Sequence, residues 1–419
     1  MTAAAPLSQP SLSSAHAAAP SLLGHGHRIA IFALLLACEF FYGWAWNTVD
    51  VLRPFIRQSL GLSLIEAGSA YSAQGAGALV GAVIIGQLAD RFGRRRMLAM
   101  LVVGFGSMLL LGTVVGSYLQ LLAQRFLLGL FAGASFPVSV GIYINLFDPA
   151  QRGRLAGMMN ACFSFSIVAL GLAMGTVAPA DWKLLLWAGG LPALGLGLTA
   201  WWLIPAGSLV DIATQRAKRL PVAELFEPAV RRQTLMLATM TGLNFFGYAA
   251  FSGWLTTYLT GERHLTPAVA GELLAWQFAG NIAGGFLWGW AADRFGRRFN
   301  ALGFLIASAA IVAYLIVPSN LVLLRALGLV YGASLCSSVI WGAWMAELYP
   351  AHLQSTAASI FNWGRVISFF APIITASIAQ QASMKAAMSL AAVAFTLAAI
   401  IWRQQRETLA PPQCPPVRP

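Results

Sequence analysis

Six ionisable side chains, Glu39, Asp50, Arg125, Glu272, Arg325 and Arg365, interrupt runs that are otherwise apolar. An ionisable group deep in a bilayer costs about 2.5–3.5 kcal/mol on insertion scales and by default marks a substrate or proton path. Glu39 lies ten residues into the first apolar run, about 15 Å deep at a rise of 1.5 Å per residue. Arg365 lies about as deep in the eleventh run. An arginine keeps its charge and offers a planar fork matched to a carboxylate, while a carboxyl can take up and release a proton. Arg365 is therefore expected to bind an organic anion and Glu39 to carry the coupled proton. The bland alternatives are a structural ion pair for Arg365 and a protonated, locally satisfied carboxyl for Glu39. Asp50 and Arg125 lie nearer the opposite end of their runs and are expected to pair, so that protonating Asp50 releases Arg125. A static clamp at the helix ends fits those two residues equally well. Glu272 and Arg325 occupy similar depth in the second half and are expected to be structural.

Uncharged polar groups can orient a ligand at lower cost. Asn160, Gln74, Gln277, Asn244 and Asn362 join Arg365 and Tyr42 as the expected substrate contacts. Nearby aromatics, among them Trp44, Trp46, Tyr248, Trp254 and Trp363, could stack a planar substrate. The competing expectation places Trp46, Trp254 and Tyr258 in the interfacial belt.

Hydrophobic residues form 58% of the 419-residue chain and charged residues 10%. Soluble domains carry about 25% charge, so the surroundings of these groups are lipid. A window of about 20 residues gives twelve spans: 29–51, 64–88, 97–115, 119–145, 155–177 and 184–205, then 232–258, 267–290, 299–317, 321–345, 355–379 and 384–402. The fold class expected is all-α membrane, with twelve helices as two pseudo-symmetric six-helix bundles. Residues 28–205 and 232–402 would be the bundles, 206–231 a cytoplasmic linker, and 1–27 and 403–419 disordered cytoplasmic tails. With both termini inside, inner segments hold 18 of the 26 Lys and Arg, whereas outer loops hold five, Arg53, Arg57, Lys183, Arg263 and Lys385. That bias is the positive-inside rule, so the net charge of +12 reflects topology and no nucleic-acid partner is expected.

The two halves repeat. Asp90-Arg-Phe-Gly-Arg94 recurs as Asp293-Arg-Phe-Gly-Arg297. On that register Ala67/Ala270, Gly68/Gly271, Gln74/Gln277, Gly77/Gly280, Gly81/Gly284 and Gly86/Gly289 coincide. Gly133-Ala-Ser135 matches Gly332-Ala-Ser334, Asn160 matches Asn362, and Glu39 stands opposite Asn244. Duplicated membrane halves are how secondary transporters are built. Gly77/Gly81 and Gly280/Gly284 are spaced for close helix approach; helix packing alone is the expected role, which still bears on mechanism because the halves must rock on a close-fitting seam.

Gly86-Gln-Leu-Ala-Asp90-Arg-Phe-Gly93-Arg-Arg95 and its counterpart Gly289-Trp-Ala-Ala-Asp293-Arg-Phe-Gly296-Arg-Arg298 are similar to the signature loop of the major facilitator superfamily. Arg152-Gly-Arg154 and Glu347-Leu-Tyr-Pro350 fit the same family, and the resemblance covers about residues 28–405. It implies alternating access, with Asp90, Arg94, Asp293 and Arg297 as the cytoplasmic gate. Asp90 would hold the start of span eleven near Ser355, and Asp293 the start of span five near Arg154. An aspartate at a helix C-terminus opposes the helix dipole and needs such a partner. Glu39-Phe-Phe-Tyr-Gly43 and Asn362-Trp-Gly-Arg365 resemble the proton-coupled aromatic-acid and metabolite symporters, although Tyr42 and Ala45 stand where that branch carries an Asp-Gly-x-Asp motif.

The function expected is proton-coupled import of a small organic anion, an aromatic or other carboxylic acid, across a cell inner membrane. Its partners would be the substrate, protons and lipid, with no oligomer required. Proton-coupled efflux of drugs or metabolites, or sugar transport, are rivals on the same fold. A membrane receptor or enzyme is the rival from another class, but no nucleophile–base pairing, P-loop or metal-ligand spacing is present, so no enzyme activity, metal or cofactor is expected.

Overall fold

A computed structural model describes residues 23–148, 151–205, 223–349, 360 and 364–408. Every regular element among them is helical, as lipid demands when no water can satisfy backbone groups. Spans one to three are His25–Val51, Leu64–Phe92 and Arg94–Leu111. Spans five and six are Arg152–Thr176 and Lys183–Leu203. In the second half, spans eight, nine and twelve are Pro267–Phe295, Ala301–Ile316 and Met384–Gln404.

Among the described residues, spans four, seven, ten and eleven are interrupted. Span four breaks between Tyr118–Ala132 and Ser135–Leu146, where Pro137 has no N–H to give the Gly133 carbonyl. Span seven runs Arg231–Phe251, tightens to a 3-10 turn at Ser252–Trp254 and resumes at Leu255–Gly261. Span ten runs Leu321–Leu335, then a 3-10 stretch Cys336–Ile340, then Trp341–Glu347. Asn300 donates to the Ser337 carbonyl at 3.0 Å and to the Trp288 carbonyl at 3.1 Å, which compensates that break. Span eleven is described over Arg365–Ser368 and Ala371–Gln381. Of the 206–231 linker only the last part is described, with a 3-10 turn at Ala223–Phe226.

The first and last described residues and both signature loops lie at one face, here called proximal. His27 bonds the Leu203 carbonyl, and the Glu407 carboxylate accepts from the backbone N–H of Arg297 and Arg298 at 2.8 and 2.9 Å. Span twelve thus runs to Gln404, and Glu407 is tied to the loop. Gly93 and Gly296 turn their loops at φ +87° and +100°, a region only glycine occupies without strain. The opposite, distal face carries the turn at Gly61 and the segment 262–266.

The repeated glycines pack inside the halves. A Cβ on Gly77 would stand 1.9 Å from the Phe126 carbonyl oxygen, and one on Gly129 1.9 Å from that of Gln74. Span two therefore lies backbone to backbone on span four. Gly280 against Leu329 (2.1 Å) and Gly332 against Gln277 (1.7 Å) repeat the arrangement for spans eight and ten. The expected packing role holds inside each half: these stripes make each half rigid and do not form the seam between the halves. The seam is built by span five on eight and span two on eleven. Among its close backbone approaches are Gly171 with Gly271, Gly175 with Ala268, and Gly68 with Pro372.

Two further expectations are overturned. Trp254 and Tyr258 are fully buried and Trp46 nearly so, because spans one and seven face the interior; the lipid-exposed tryptophans are Trp187, Trp201, Trp202, Trp276 and Trp290. Arg53, read as a loop residue, is 1% exposed.

Gly77→Ala is expected to destabilise the protein by about 1–3 kcal/mol or more through overpacking. Gly153→Ala, where a Cβ meets nothing within 4 Å, should leave the melting temperature in detergent unchanged. Equal melting temperatures for the two variants would contradict the backbone-to-backbone contact.

Candidate functional site

Glu39, Tyr42 and Trp46 recur at intervals of three and four along span one, so they share one face of that helix. All three are buried, Glu39 at 3% exposure. Arg365 approaches that face from span eleven. The adjoining Gly364 lies against the Thr241–Gly242 backbone of span seven, where a Cβ would stand 2.4 Å from the Gly242 nitrogen; this contact holds the arginine at the seam. Its guanidinium sits over the Phe245 ring, 5.3 Å from the centroid, and lies beside the Tyr42 phenol. Its field reaches Glu39 and Tyr71. The Nε of Arg365 makes no hydrogen bond. The residues expected to bind and to exchange a proton are therefore in electrostatic contact across the two halves.

Aromatic rings line the N-terminal side. Tyr42 lies 5.6 Å from Phe163 and 6.0 Å from Trp46, and Trp46 meets Tyr71 edge-on at 6.4 Å. Trp44 instead turns away and donates to the Leu185 carbonyl of span six. Gln74 donates to the Trp46 carbonyl at 2.9 Å, and Gln277 to Ser252 Oγ at 2.7 Å, a pseudo-symmetric pair. The side-chain carbonyls of Gln74, Gln277 and Asn244 are buried without a partner. Asn160 is exposed and lies near Cys336 across the seam. Asn362 lies outside the described residues, as does Trp363.

Towards the distal face the expected pairing is corrected. Asp50 bonds Arg53, one helical turn on, and Arg125 donates to Thr48 Oγ1 at 2.8 Å. Arg125 and Asp50 are electrostatic neighbours without an ion pair. Asp50 and Arg53 lie at i,i+3 where span one ends, so the shorter reach wins. Arg53 also donates to the Gly253 carbonyl of the other half and lies 4.1 Å from the Trp254 ring centroid. Thr256 Oγ1 donates to the Asp50 carbonyl at 2.9 Å, and the Tyr248 hydroxyl to Asn47 Oδ1 at 3.3 Å. Ser72 donates to the Phe369 carbonyl. The distal seam is sealed by these contacts.

The proximal seam differs. Arg297 pairs with Asp293 at 2.7 Å and with Glu347 at 3.4 Å, all within the C-terminal half. The Asp293 side chain is 76% exposed, and Arg154 is exposed too. Among the described residues, the expected contact of Asp293 with span five is not made in this conformation. The Asp90 side chain and Ser355 lie outside what is described, while Arg94 donates to the Gly141 carbonyl of span four. Glu272 and Arg325 pair at 2.8 Å.

Sequence reasoning missed Arg53, Tyr71, Phe163 and Phe245. The Asp50-x-x-Arg53 spacing could have found the first; the aromatics carry no signal beyond lying one or two turns from a named residue.

The sequence pattern of the Major Facilitator Superfamily matches residues 35–261 and 237–415, one copy on each half. The chain belongs to this superfamily. This facilitator is 24% identical over 361 residues to the cis,cis-muconate transport protein of Acinetobacter baylyi, covering 83% of this chain and 86% of that one. It is 25% identical over 381 residues to the gallate transporter of Pseudomonas putida, covering 82% and 84%. Its fold matches the inward-facing, unoccupied structure of a bacterial homologue of the human lysosomal transporter Spinster, with a TM-score of 0.75, 16% identity and coverage of 91% and 97%. It is a multi-pass membrane transporter, not an enzyme.

In a background lacking the four native cysteines, Asn160→Cys is expected to react with a membrane-impermeant maleimide applied from the proximal face. Thr256→Cys should resist the reagent from the distal face. The reverse pattern would contradict the sealed distal seam.

Proposed function

We propose that this facilitator imports a small organic anion, an aromatic or unsaturated carboxylic acid, together with a proton. The observation that carries this reading is Arg365 within electrostatic reach of Glu39 and Tyr42 across the seam of the halves. In a low dielectric, opposite charges compensate strongly and an uncompensated charge is costly. Ionised Glu39 neutralises Arg365. A proton on Glu39 removes that compensation and leaves the guanidinium free for a substrate carboxylate. Proton and anion therefore arrive as a pair, because only both together keep the site near neutrality.

The guanidinium fork takes the carboxylate in a bidentate manner, and the free Nε supplies a donor. Phe245, Tyr42, Trp46 and Phe163 offer ring faces to a planar acid. Muconate and gallate, named for two relatives, are acids of this kind, and both belong in a substrate panel with benzoate. The basic bias of the proximal segments supports a cytoplasmic assignment of that face in a cell inner membrane. The open proximal seam is then the releasing conformation, and the gate formed by Asp90, Arg94, Asp293 and Arg297 closes it on the return.

The test is counterflow and gradient-driven uptake in proteoliposomes with labelled benzoate, gallate and cis,cis-muconate. Accumulation that collapses with a protonophore supports symport; export driven by an inward proton gradient would favour the efflux rival. Arg365→Ala is expected to lower anion transport on the order of a hundredfold, as two charge-assisted hydrogen bonds are lost, with expression unchanged. Normal uptake by this variant would refute its role.

Glu39→Gln, fixed in the neutral form, is expected to retain counterflow and to lose proton-driven accumulation. Accumulation with the original pH dependence would remove Glu39 from the proton path.

A further inference from the structure

The distal cluster holds more positive charge than it can balance. Arg53 and Arg125 are each 1% exposed, and the acid facing both is Asp50. Tyr71 and Tyr248 are the other titratable groups beside it. Asp50 is bonded to Arg53, so Arg125 is left with Thr48 as its hydrogen-bond partner. Both guanidiniums keep a buried Nε without a partner. A guanidinium has five donors and cannot lose its charge, so one carboxylate does not satisfy two of them.

What balances Arg53 at present comes from the opposite half. The Gly253 carbonyl accepts its Nη1, and the Trp254 ring lies under its Cζ; a desolvated cation over a tryptophan face is well stabilised. Both groups sit in the 3-10 turn of span seven. In alternating access the distal ends must part, and Gly253 and Trp254 then withdraw from Arg53. Asp50, Thr48 and Arg125 stay with it, because all belong to the N-terminal half. Opening therefore creates two partly satisfied guanidiniums facing one carboxylate, with a net charge of +1.

We propose that Arg53 and Arg125 form a carboxylate-receiving site that exists when the distal seam is open, ahead of Arg365 on the same path. An arriving carboxylate neutralises the excess charge and takes the donors that Gly253 and Trp254 gave up. Ligand and seal thus compete for the same guanidinium. The seal re-forms only when the anion has moved on, which prevents closure around an anion stalled at the outer end. Tyr71 lies on the way inward, since it interacts with Arg53 and Asp50 on one side and with Arg365 on the other. The inference rests on the proposed carriage of an organic anion and adds where that anion is first held.

The test measures half-saturation from each face, using influx and efflux of labelled benzoate, gallate and cis,cis-muconate in membrane vesicles of known sidedness. Arg53→Gln and Arg125→Gln are expected to raise the value from the distal face by about tenfold or more, and that from the proximal face by less than about twofold. Trp254→Leu removes the competing ring and leaves both arginines, so it should lower the distal value. Spin labels at Gln58→Cys and His264→Cys should show a wider distal separation in Arg53→Gln without substrate. Equal rises at both faces, or a distal value indifferent to all three variants, would reduce the cluster to a static clamp and overturn the site. Should either arginine variant fail to reach the membrane, the Trp254→Leu result decides alone, a lowered distal value supporting the site and an unchanged or raised one refuting it. If the unaltered protein carries none of the acids, the proposed function falls and this site with it. If transport depends on Arg365 but not on Arg53 or Arg125, only the distal site falls.

Discussion

A guanidinium inside a bilayer cannot shed its charge, so every conformation of the chain must present it with a partner. Arg53, Arg125 and Arg365 impose that demand on this facilitator, and Glu39 and Asp50 are the acids set against them. Three positive groups and two negative ones leave room for one more anion. The shortfall lies inside the membrane, where an unbalanced charge costs far more than at a surface. Under the proposed function, that shortfall is what an anionic passenger would fill, whichever end it enters from.

The same demand explains why the motion belongs between the halves. Spans two and four, and spans eight and ten, touch through backbone atoms at distances that leave no slack for a side chain. Contacts of that kind are lost outright if the helices slide, so each half moves as a body. The distal seam is made chiefly from exchangeable hydrogen bonds: Thr256 to Asp50, Tyr248 to Asn47, Ser72 to Phe369 and Arg53 to Gly253. The tightest backbone-to-backbone meeting of the halves among the described residues is at Gly171 and Gly271, which suits a pivot better than a gate.

Much of this was legible before any coordinate. Span edges follow from apolar runs, and the repeat of Asp90–Arg94 at Asp293–Arg297 places the two halves. Glu39 and Arg365 stand out because charge is scarce in such runs. What stayed hidden was partner choice. Helical spacing says which residues share a face, but not which helix lies opposite, so Asp50 was matched with Arg125 and the nearer Arg53 was taken for a loop residue. Hydropathy likewise cannot separate a tryptophan facing lipid from one facing the seam, and Trp254 and Trp202 look alike until the helices are assembled. Phe245 acquires meaning only once Arg365 lies over its ring.

The two ends of the molecule carry interactions of different strength. At the proximal face Asp293, Arg297 and Glu347 meet in water, with Asp293 76% exposed, and exposed pairs are worth about 0–1 kcal/mol. Glu407 steadies that loop by accepting from two backbone N–H groups, leaving the Asp293 carboxylate free to change partners at little cost. At the distal face Arg53 and Asp50 are buried, and removing the support of a buried charge is costly. The chain therefore rests with the distal seam shut, and it needs a contribution from outside to open there. A charge arriving from the distal side offsets that cost, because it can replace the contacts that Gly253 and Trp254 give up. The difference in burial between the two ends is thus enough to make movement through the carrier depend on what binds, without any further source of energy inside the fold.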